Sequence, residues 1–507
     1  MLNNGICWYL LGPTGIGKTF VSLKIAAKFS NEIINTDAFS LYKEASTMTA
    51  KATKKEMSLI RHRMVDMLDL FETNYNQKLF KKDALNEINA VFQNSKIPLI
   101  VGGTNYFVES ILFNYQSEEE KAFEKSEKNK DSIECLEESD FIKNLKIDNN
   151  KFFLDKIKEI KNENKNDEDK CYTQINEYLN ENFINNDNNN KKQNELIKIL
   201  SVIDSKSSNF YNENDIRRII NSISYYISYN KKKSEMLNNQ IIKLNFEKNK
   251  IIILLPKDIS LLLERVTLRI DQMIQEGFSE IIYIFHKFDL NKKEINFEHG
   301  VLQSIGYKEF YDLYKVLNKE LIEEIYAIHL KEMNNEDNDE MIKYNKNILN
   351  IIDKDENLKK IFENCRQKLI SNTINYAKYQ IKFIKNRIMP YINGYIIVEI
   401  EKYDKETYIN EYIPQIIDYL NDDNYITIVN NNKNKMEDWK RYYCDICKCE
   451  INGENDYNSH MKSNKHKKKK EKLRKKEKMN KDKDDNKDKI NEIKNKISKI
   501  ELSDSQG

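Results

Sequence analysis

A chain of 507 residues can bury a full core and is long enough for two to four domains. Its 83 Lys and Arg against 81 Asp and Glu leave a formal net charge of +2, but that balance hides eleven cations against two glutamates between residues 461 and 479, a run suited to nucleic acid phosphates. Seven cysteines, three of them between 444 and 449, argue against a secreted disulfide framework. No apolar run reaches the roughly 18 residues of a membrane span, so a soluble intracellular protein with no membrane partner is expected.

The apolar run at residues 7–11 reads as a buried strand and leads into Gly12-Pro13-Thr14-Gly15-Ile16-Gly17-Lys18-Thr19. Val21, Leu23, Ile25, Ala26 and Phe29 follow at helical spacing. Strand, glycine-rich loop and helix in that order form a phosphate cradle: backbone N–H groups and the helix N-terminus converge on anionic oxygens. Lys18 is placed to neutralise the outer phosphate and Thr19 to ligate Mg²⁺.

A second strand at 32–36 ends at Asp37, which in an open α/β sheet sits at the carboxyl edge beside the phosphate loop. Two readings stand there, a general base and a simple cap of the following turn. Phe80, Ala84, Ile88 and Phe92 mark a helix before a third strand at 97–101, which runs into Gly102-Gly103-Thr104-Asn105-Tyr106. Those glycines allow close backbone approach, and Thr104 and Asn105 offer hydrogen bonds to the same crevice; a plain strand-to-helix connection is the alternative. No acidic residue closes this strand in the manner of an ATPase magnesium site, which weighs against an ATPase.

From 116 to 212 the composition turns to Asn, Lys, Glu and Asp and reads as a low-complexity insertion without a continuous core, with short helices at 152–154 and 196–200; a smaller expansion runs from 334 to 357. Just past the insertion, Arg217 and Arg218 would point about 100° apart on a helix, one of them free to face a diphosphate or RNA. A fourth strand is expected at 251–255. Leu262, Val266, Ile270, Met273 and Ile274 then line one face of a helix whose neighbouring face carries Arg265, Arg269 and Gln272, suited equally to gripping an anion and to facing solvent. Near the end, Cys444-x2-Cys447-x12-His460-x5-His466 has Cys2His2 zinc spacing and uses two of only six histidines. With Tyr442, Tyr443, Tyr457 and the basic run beyond, it reads as an RNA or DNA contact surface, a finger that binds only protein being the alternative.

The expected architecture is an α/β, P-loop NTPase-like parallel-sheet core with a helical insertion and a Cys2His2 zinc finger. Its divisions are a first core part at 1–115, the insertion at 116–212, the return of helical region and core at 213–395, a connecting segment at 396–439, the finger at 440–470 and a charged tail at 471–507.

Read in order, these motifs resemble the tRNA dimethylallyltransferase (tRNA isopentenyltransferase) family in its eukaryotic form with a C-terminal zinc finger. The likeness rests on the phosphate loop; Asp37-Ala38-Phe39-Ser40-Leu41-Tyr42 with Thr49-Ala50-Lys51; Ile97 to Tyr106; Asn214 to Arg218; Arg269-Ile270-Asp271-Gln272-Met273 with Gly277; Leu302 to Glu309; and Tyr376-Ala377-Lys378-Tyr379-Gln380. The resemblance implies transfer of a dimethylallyl group from dimethylallyl diphosphate to N6 of adenosine 37 in tRNA, with Mg²⁺ at Thr19 and structural Zn²⁺ in the finger. It implies catalytic roles for Asp37, Thr14, Lys18, Thr104 and Arg217, diphosphate binding by Gly12 through Thr19, tRNA contacts from Asp37, Ala38, Phe39, Ser40, Arg217 and Arg218, and a helical tRNA-clasping region in which the insertion at 116–212 falls. A monomer working in cytoplasm, nucleus or mitochondria is expected. The chain departs from the family at Ser40, His62-Arg63, Asn221 and Phe383. An adenylate isopentenyltransferase, a P-loop small-molecule kinase and a non-catalytic zinc-finger RNA-binding protein remain open at this point.

Overall fold

The computed structural model describes residues 5–117, 150–164, 167–183, 189–212, 214–238, 240–332, 339–430 and 441–475. Its contacts separate two units, Met1–Gln116 with Ile242–Lys433, and Ser117–Ile241 with Asn434–Gly507.

The first unit is built on a six-stranded parallel sheet of β1 (Ile6–Leu11), β2 (Glu32–Asn35), β3 (His62–Arg63), β4 (Pro98–Val101), β5 (Lys248–Pro256) and β6 (Ile396–Ile400), in the order β3-β2-β4-β1-β5-β6. Side chains alternate between two cores. Trp8, Leu10, Ile33, Leu99, Ile252 and Leu254 face one, and Cys7, Tyr9, Leu11, Ile34, Ile100 and Ile253 the other. Burial on both faces is why these strands read as unbroken apolar runs.

All four expected strands are present. The two that were not expected are the edges: β3 is too short to show a period, and β6 lies in the stretch taken for a connection. Tertiary contacts hold that stretch in place. The buried Lys250 ammonium donates to the carbonyls of Tyr419, Leu420 and Asp422 at 3.2, 2.7 and 3.0 Å, capping the end of the helix Ile413–Asn421. Arg63, one of the family departures, is held by Glu32 at 2.6 Å and Glu87 at 2.5 Å.

The unit also holds helices α1 (Lys18–Phe29), α2 (Gln77–Gln93), α3 (Asn105–Leu112), α4 (Ile259–Leu290), α5 (Lys319–Glu332), α6 (Asp339–Lys354) and α7 (Glu356–Phe383). Helix α4 runs well past the apolar positions 262–274 read from the sequence because Phe278, Ile281, Ile282 and Phe285 extend its apolar face. The supposed expansion at 334–357 is corrected from 339 onward. There Met341, Asn345, Ile348 and Ile352 form a buried stripe at helical spacing that the Asn-rich composition obscures. Asn345 also accepts from Ser279 N at 2.9 Å and donates to Glu276 O at 2.7 Å, docking α6 on α4.

Glu280 of α4 is 3% exposed and accepts from the backbone N–H groups of Ser46, Thr47 and Met48 at 3.1, 2.8 and 3.1 Å, and from the Tyr307 hydroxyl at 2.8 Å. It therefore anchors the loop that follows Asp37. Glu280→Gln turns an NH₂ toward these donors and is expected to cost about 2–4 kcal/mol, read as a lower urea midpoint for the first unit. An unchanged midpoint would mean the loop is held by other contacts.

The second unit contains the helices Asn150–Glu163, Glu168–Phe183, Asn189–Ile203 and Ile216–Tyr229. Here the structure differs from the expectation of an insertion without a core. Ile157, Cys171, Ile175, Leu179, Leu196, Leu200, Ile219, Ile223 and Ile227 pack into one cluster. Enough apolar positions recur every three or four residues to bury a face of each helix, although the mean composition is polar. Asparagine joins two helices here: Asn176 donates to Asn221 at 2.8 Å, and Asn180, on the same helix as Asn176, donates to it at 2.8 Å. The tract at 184–188 and the tail beyond 475 lie outside the described residues.

Candidate active site

The phosphate loop bridges β1 and α1. Gly17 caps α1 with φ of 91°, a left-handed conformation costly for other residues, and a Cβ there would stand 2.7 Å from the Tyr408 hydroxyl. Lys18 Nζ folds back onto the loop, donating to Gly12 O at 2.8 Å and Pro13 O at 2.9 Å. Distant residues complete the cradle. Arg265 Nε donates to Gly15 O at 2.9 Å, Arg269 Nη1 approaches Thr14 Oγ1 at 3.4 Å, and Tyr408 donates to Ile16 O at 2.5 Å. The undecided basic face of α4 is thus turned to the loop.

Asp37 follows β2, and its Oδ1 accepts from Phe39 N at 3.1 Å, the turn-capping contact that the simpler reading expected. Capping uses one oxygen, and Oδ2 points toward Gly103, where an added Cβ would lie 2.9 Å from it. Thr104 Oγ1 accepts from Ala38 N at 3.0 Å, so the loop after β4 is tied to the one after β2. Gln380 of α7 binds both loops: its Oε1 accepts from Thr14 N at 2.7 Å and its Nε2 donates to Gly103 O at 2.7 Å. Ser40 is buried and its carbonyl accepts from Asp66 N at 3.2 Å.

Lys18, Arg265 and Arg269 crowd this crevice around the Asp37 carboxylate. Burial, then the Arg269 guanidinium, push the Lys18 ammonium down to about 7, against the pull of Asp37. Burial and Arg265 likewise lower Arg269. Burial holds the Asp37 carboxyl above its ordinary range, outweighing the Phe39 N–H and the Lys18 and Arg269 charges. Desolvated cations that depress one another favour a polyanion, and a carboxylate of raised basicity is suited to taking a proton.

The structure therefore brings together Gly12, Pro13, Thr14, Gly15, Ile16, Gly17, Lys18, Thr19, Asp37 and Thr104, with Ala38, Phe39 and Ser40 beside them. Arg217 and Arg218 belong to the second unit, exposed on the first turn of its helix Ile216–Tyr229, where Arg218 pairs with Asp215 at 3.0 Å. Within the first unit, the guanidinium groups of Arg265 and Arg269 reach the phosphate loop. Gln380 lies in a segment that carries the family resemblance, with no role given to it there, and Tyr408, 392 positions from its partner, has no local signal that marks it.

In the C-terminal module the strands Arg441–Cys444 and Cys449–Asn452 form a hairpin, followed by the helix Glu454–Lys462. The ligand atoms of Cys444, Cys447, His460 and His466 all lie within 4.8 Å of one another. His466 Nδ1 stands 3.5 Å from Cys444 Sγ, 3.6 Å from Cys447 Sγ and 3.2 Å from His460 Nε2. Those separations are near the roughly 3.3–3.8 Å edges of a tetrahedron with zinc bond lengths, so the quartet fits Zn²⁺. Ser463 breaks the helix, and its Oγ accepts from His466 N at 3.2 Å, which accommodates the five-residue histidine spacing. Cys449 pairs across the hairpin from Cys444, outside the quartet.

The family model for IPP transferase matches this chain in two overlapping segments, residues 40–165 and 151–387. The chain belongs to the IPP transferase family. A model for a zinc-finger of C2H2 type matches residues 442–466, and the C-terminal module is such a finger. Among IPP transferase relatives, the tRNA dimethylallyltransferase of Saccharomyces cerevisiae is 24% identical over 468 residues, covering 88% of this chain and 86% of its own length. That of Homo sapiens is 24% identical over 477 residues, covering 90% and 83%, and that of Finegoldia magna 29% over 304 residues, covering 60% and 77%. A solved eukaryotic dimethylallyltransferase acting on tRNA shares the fold, with a TM-score of 0.56 and 21% identity over 94% of this chain and 99% of that one. Among the described residues no helix is long and apolar enough to cross a membrane.

Proposed function

We propose that this IPP transferase moves a dimethylallyl group from dimethylallyl diphosphate to N6 of adenosine 37 in tRNA and releases diphosphate, working as a monomer. The observation that carries the reading is the approach of a cation-lined phosphate loop to the Asp37 carboxylate, in a chain whose relatives named for this reaction align over most of its length.

The adenine amine is a weak nucleophile because its lone pair is delocalised into the ring. As N6 bonds to the allylic carbon, the bond from that carbon to the diphosphate oxygen breaks and the amine proton must leave. Asp37 takes the proton, and Thr104, fixed to Ala38 N, borders the base. Lys18, Arg265 and Arg269 stabilise the charge that grows on the departing diphosphate. Thr19 is exposed on the first turn of α1, and Mg²⁺ takes few protein ligands beside phosphate, so its hydroxyl fits that ion. Held there, Mg²⁺ would supply further charge neutralisation of the leaving group. Arg217 keeps the catalytic role that the resemblance implies and, with Arg218, is assigned to tRNA.

Incubation with tRNA, dimethylallyl diphosphate and magnesium, followed by mass spectrometry of the nucleosides, tests the reading; anticodon-loop adenosines left unmodified would defeat it. AMP and ADP as acceptors in the same assay distinguish an enzyme of free nucleotides.

Lys18 makes a further prediction. With the free ammonium titrating near 7 and a bound polyanion raising that value, binding above pH 7 must take up a proton. Affinity for pyrophosphate should therefore fall by up to about tenfold per unit as pH rises from 7 to 9, with net proton uptake in calorimetry across buffers. A flat profile would place the charged Lys18 in the free protein throughout.

A further inference from the structure

The face of α7 that rises from the catalytic crevice carries an aromatic ladder which the reaction above does not use. At its foot the Tyr376 hydroxyl donates to Gly103 O at 3.1 Å, next to Thr104. Tyr379 lies parallel to Tyr376, with centroids 6.4 Å apart and planes 19° apart, and Phe383 meets Tyr379 at 6.1 Å. Their spacing of three and four residues sets the rings on one stripe.

Tyr379 is 54% exposed, much for a ring so close to a buried site. Cations accompany it. The Arg387 guanidinium sits 5.9 Å over Phe383 and is braced by Glu109 at 3.0 Å, and Lys382 is exposed on the same turn as Tyr379. An exposed ring beside cations suits a flat, apolar-faced group on an anionic backbone, which describes a nucleotide in a single strand. A lipid surface would call for a broader apolar patch.

We propose that Tyr379, backed by Tyr376 and Phe383, is a stacking platform for the RNA base beside the target adenosine. The inference rests on the RNA reading above. Adenosine must leave its stack before N6 can reach Asp37, and a ring that receives the neighbouring base restores the stacking that the opened loop gives up. Arg387 and Lys382 steady the adjoining phosphates.

The test uses the full chain as wild type, Tyr379→Ala and Tyr379→Trp, with anticodon stem-loop RNAs that are intact or abasic at either neighbour of the target. Tyr379→Ala should raise the RNA Kd and KM about tenfold and leave the KM for dimethylallyl diphosphate unchanged, while Tyr379→Trp stays near wild type. Removing the neighbouring base should cost the wild type the same factor and cost Tyr379→Ala nothing more, because the two changes delete one interaction. Independent, multiplying losses, or an unaltered RNA Kd in Tyr379→Ala, would overturn the platform. Binding is read by fluorescence anisotropy separately from turnover. A chain that holds RNA through Tyr379 without prenylating it would sustain the platform and refute the proposed reaction.

Discussion

Asp37→Asn is expected to slow single-turnover prenyl transfer by about 10²-fold or more, the scale of a positioned general base, with the tRNA Kd changed by less than about twofold. The substitution is chosen for what it keeps. An amide oxygen can still accept the 3.1 Å hydrogen bond from Phe39 N, so the turn that presents the side chain survives, and only the capacity to accept a proton is removed.

Acidity supplies a second signature. Because burial raises the Asp37 carboxyl, the wild-type rate should begin to fall at a higher pH than an ordinary aspartate would set, losing one decade per unit below that point. In Asp37→Asn this acidic limb should vanish. Rapid-quench measurements from pH 5 to 8 test both expectations, and a near-normal rate in the variant would remove Asp37 from the chemistry.

Zinc removal should have the other large effect. A chelator, or Cys447→Ser, is expected to unfold the module at 441–475, visible as lost amide protection in hydrogen exchange. Within it the Tyr442–Tyr457 stack at 4.8 Å and the buried Cys444 and His466 are too little to form an independent core. Structural zinc sites contribute about 10–16 kcal/mol in apparent folding free energy near pH 7, more than these contacts together.

Unfolding would also scatter the cations of the helical stretch at 464–475, which ends the described chain. Affinity for tRNA should then weaken with a shallower salt dependence, since fewer phosphates are neutralised. Pyrophosphate binding at the phosphate loop, in the first unit, should not change. Unaltered tRNA affinity at low and moderate salt would leave the finger without a role in RNA binding.

Much of this site is legible before any coordinates. The phosphate loop is a local device: three glycines, a lysine and a threonine between an apolar run and a helical one dictate the backbone path over a few residues. Asp37 and Thr104 were legible for a related reason, since carboxyl ends of neighbouring parallel strands meet at one edge of a sheet. The zinc quartet could be read from ligand spacing alone. Composition misled where it was averaged. Across 116–212 and 334–357 the asparagines and lysines mask apolar positions that recur at helical spacing, so the cluster around Ile175 and Leu196 and the stripe of α6 escape a reading by composition.

Spacing along the chain thus settled the strand, loop and helix around the phosphates, the carboxylate at the sheet edge and the metal quartet, because each is built from neighbours or from a repeating topology. Folding chose which cations serve the loop. Arg265 and Arg269 reach it across 250 and 255 positions, Gln380 across 366 and Tyr408 across 392. Hydrogen bonds of such span leave no periodic trace. They arise only when packed helices and an added sixth strand bring those side chains to the same few carbonyls.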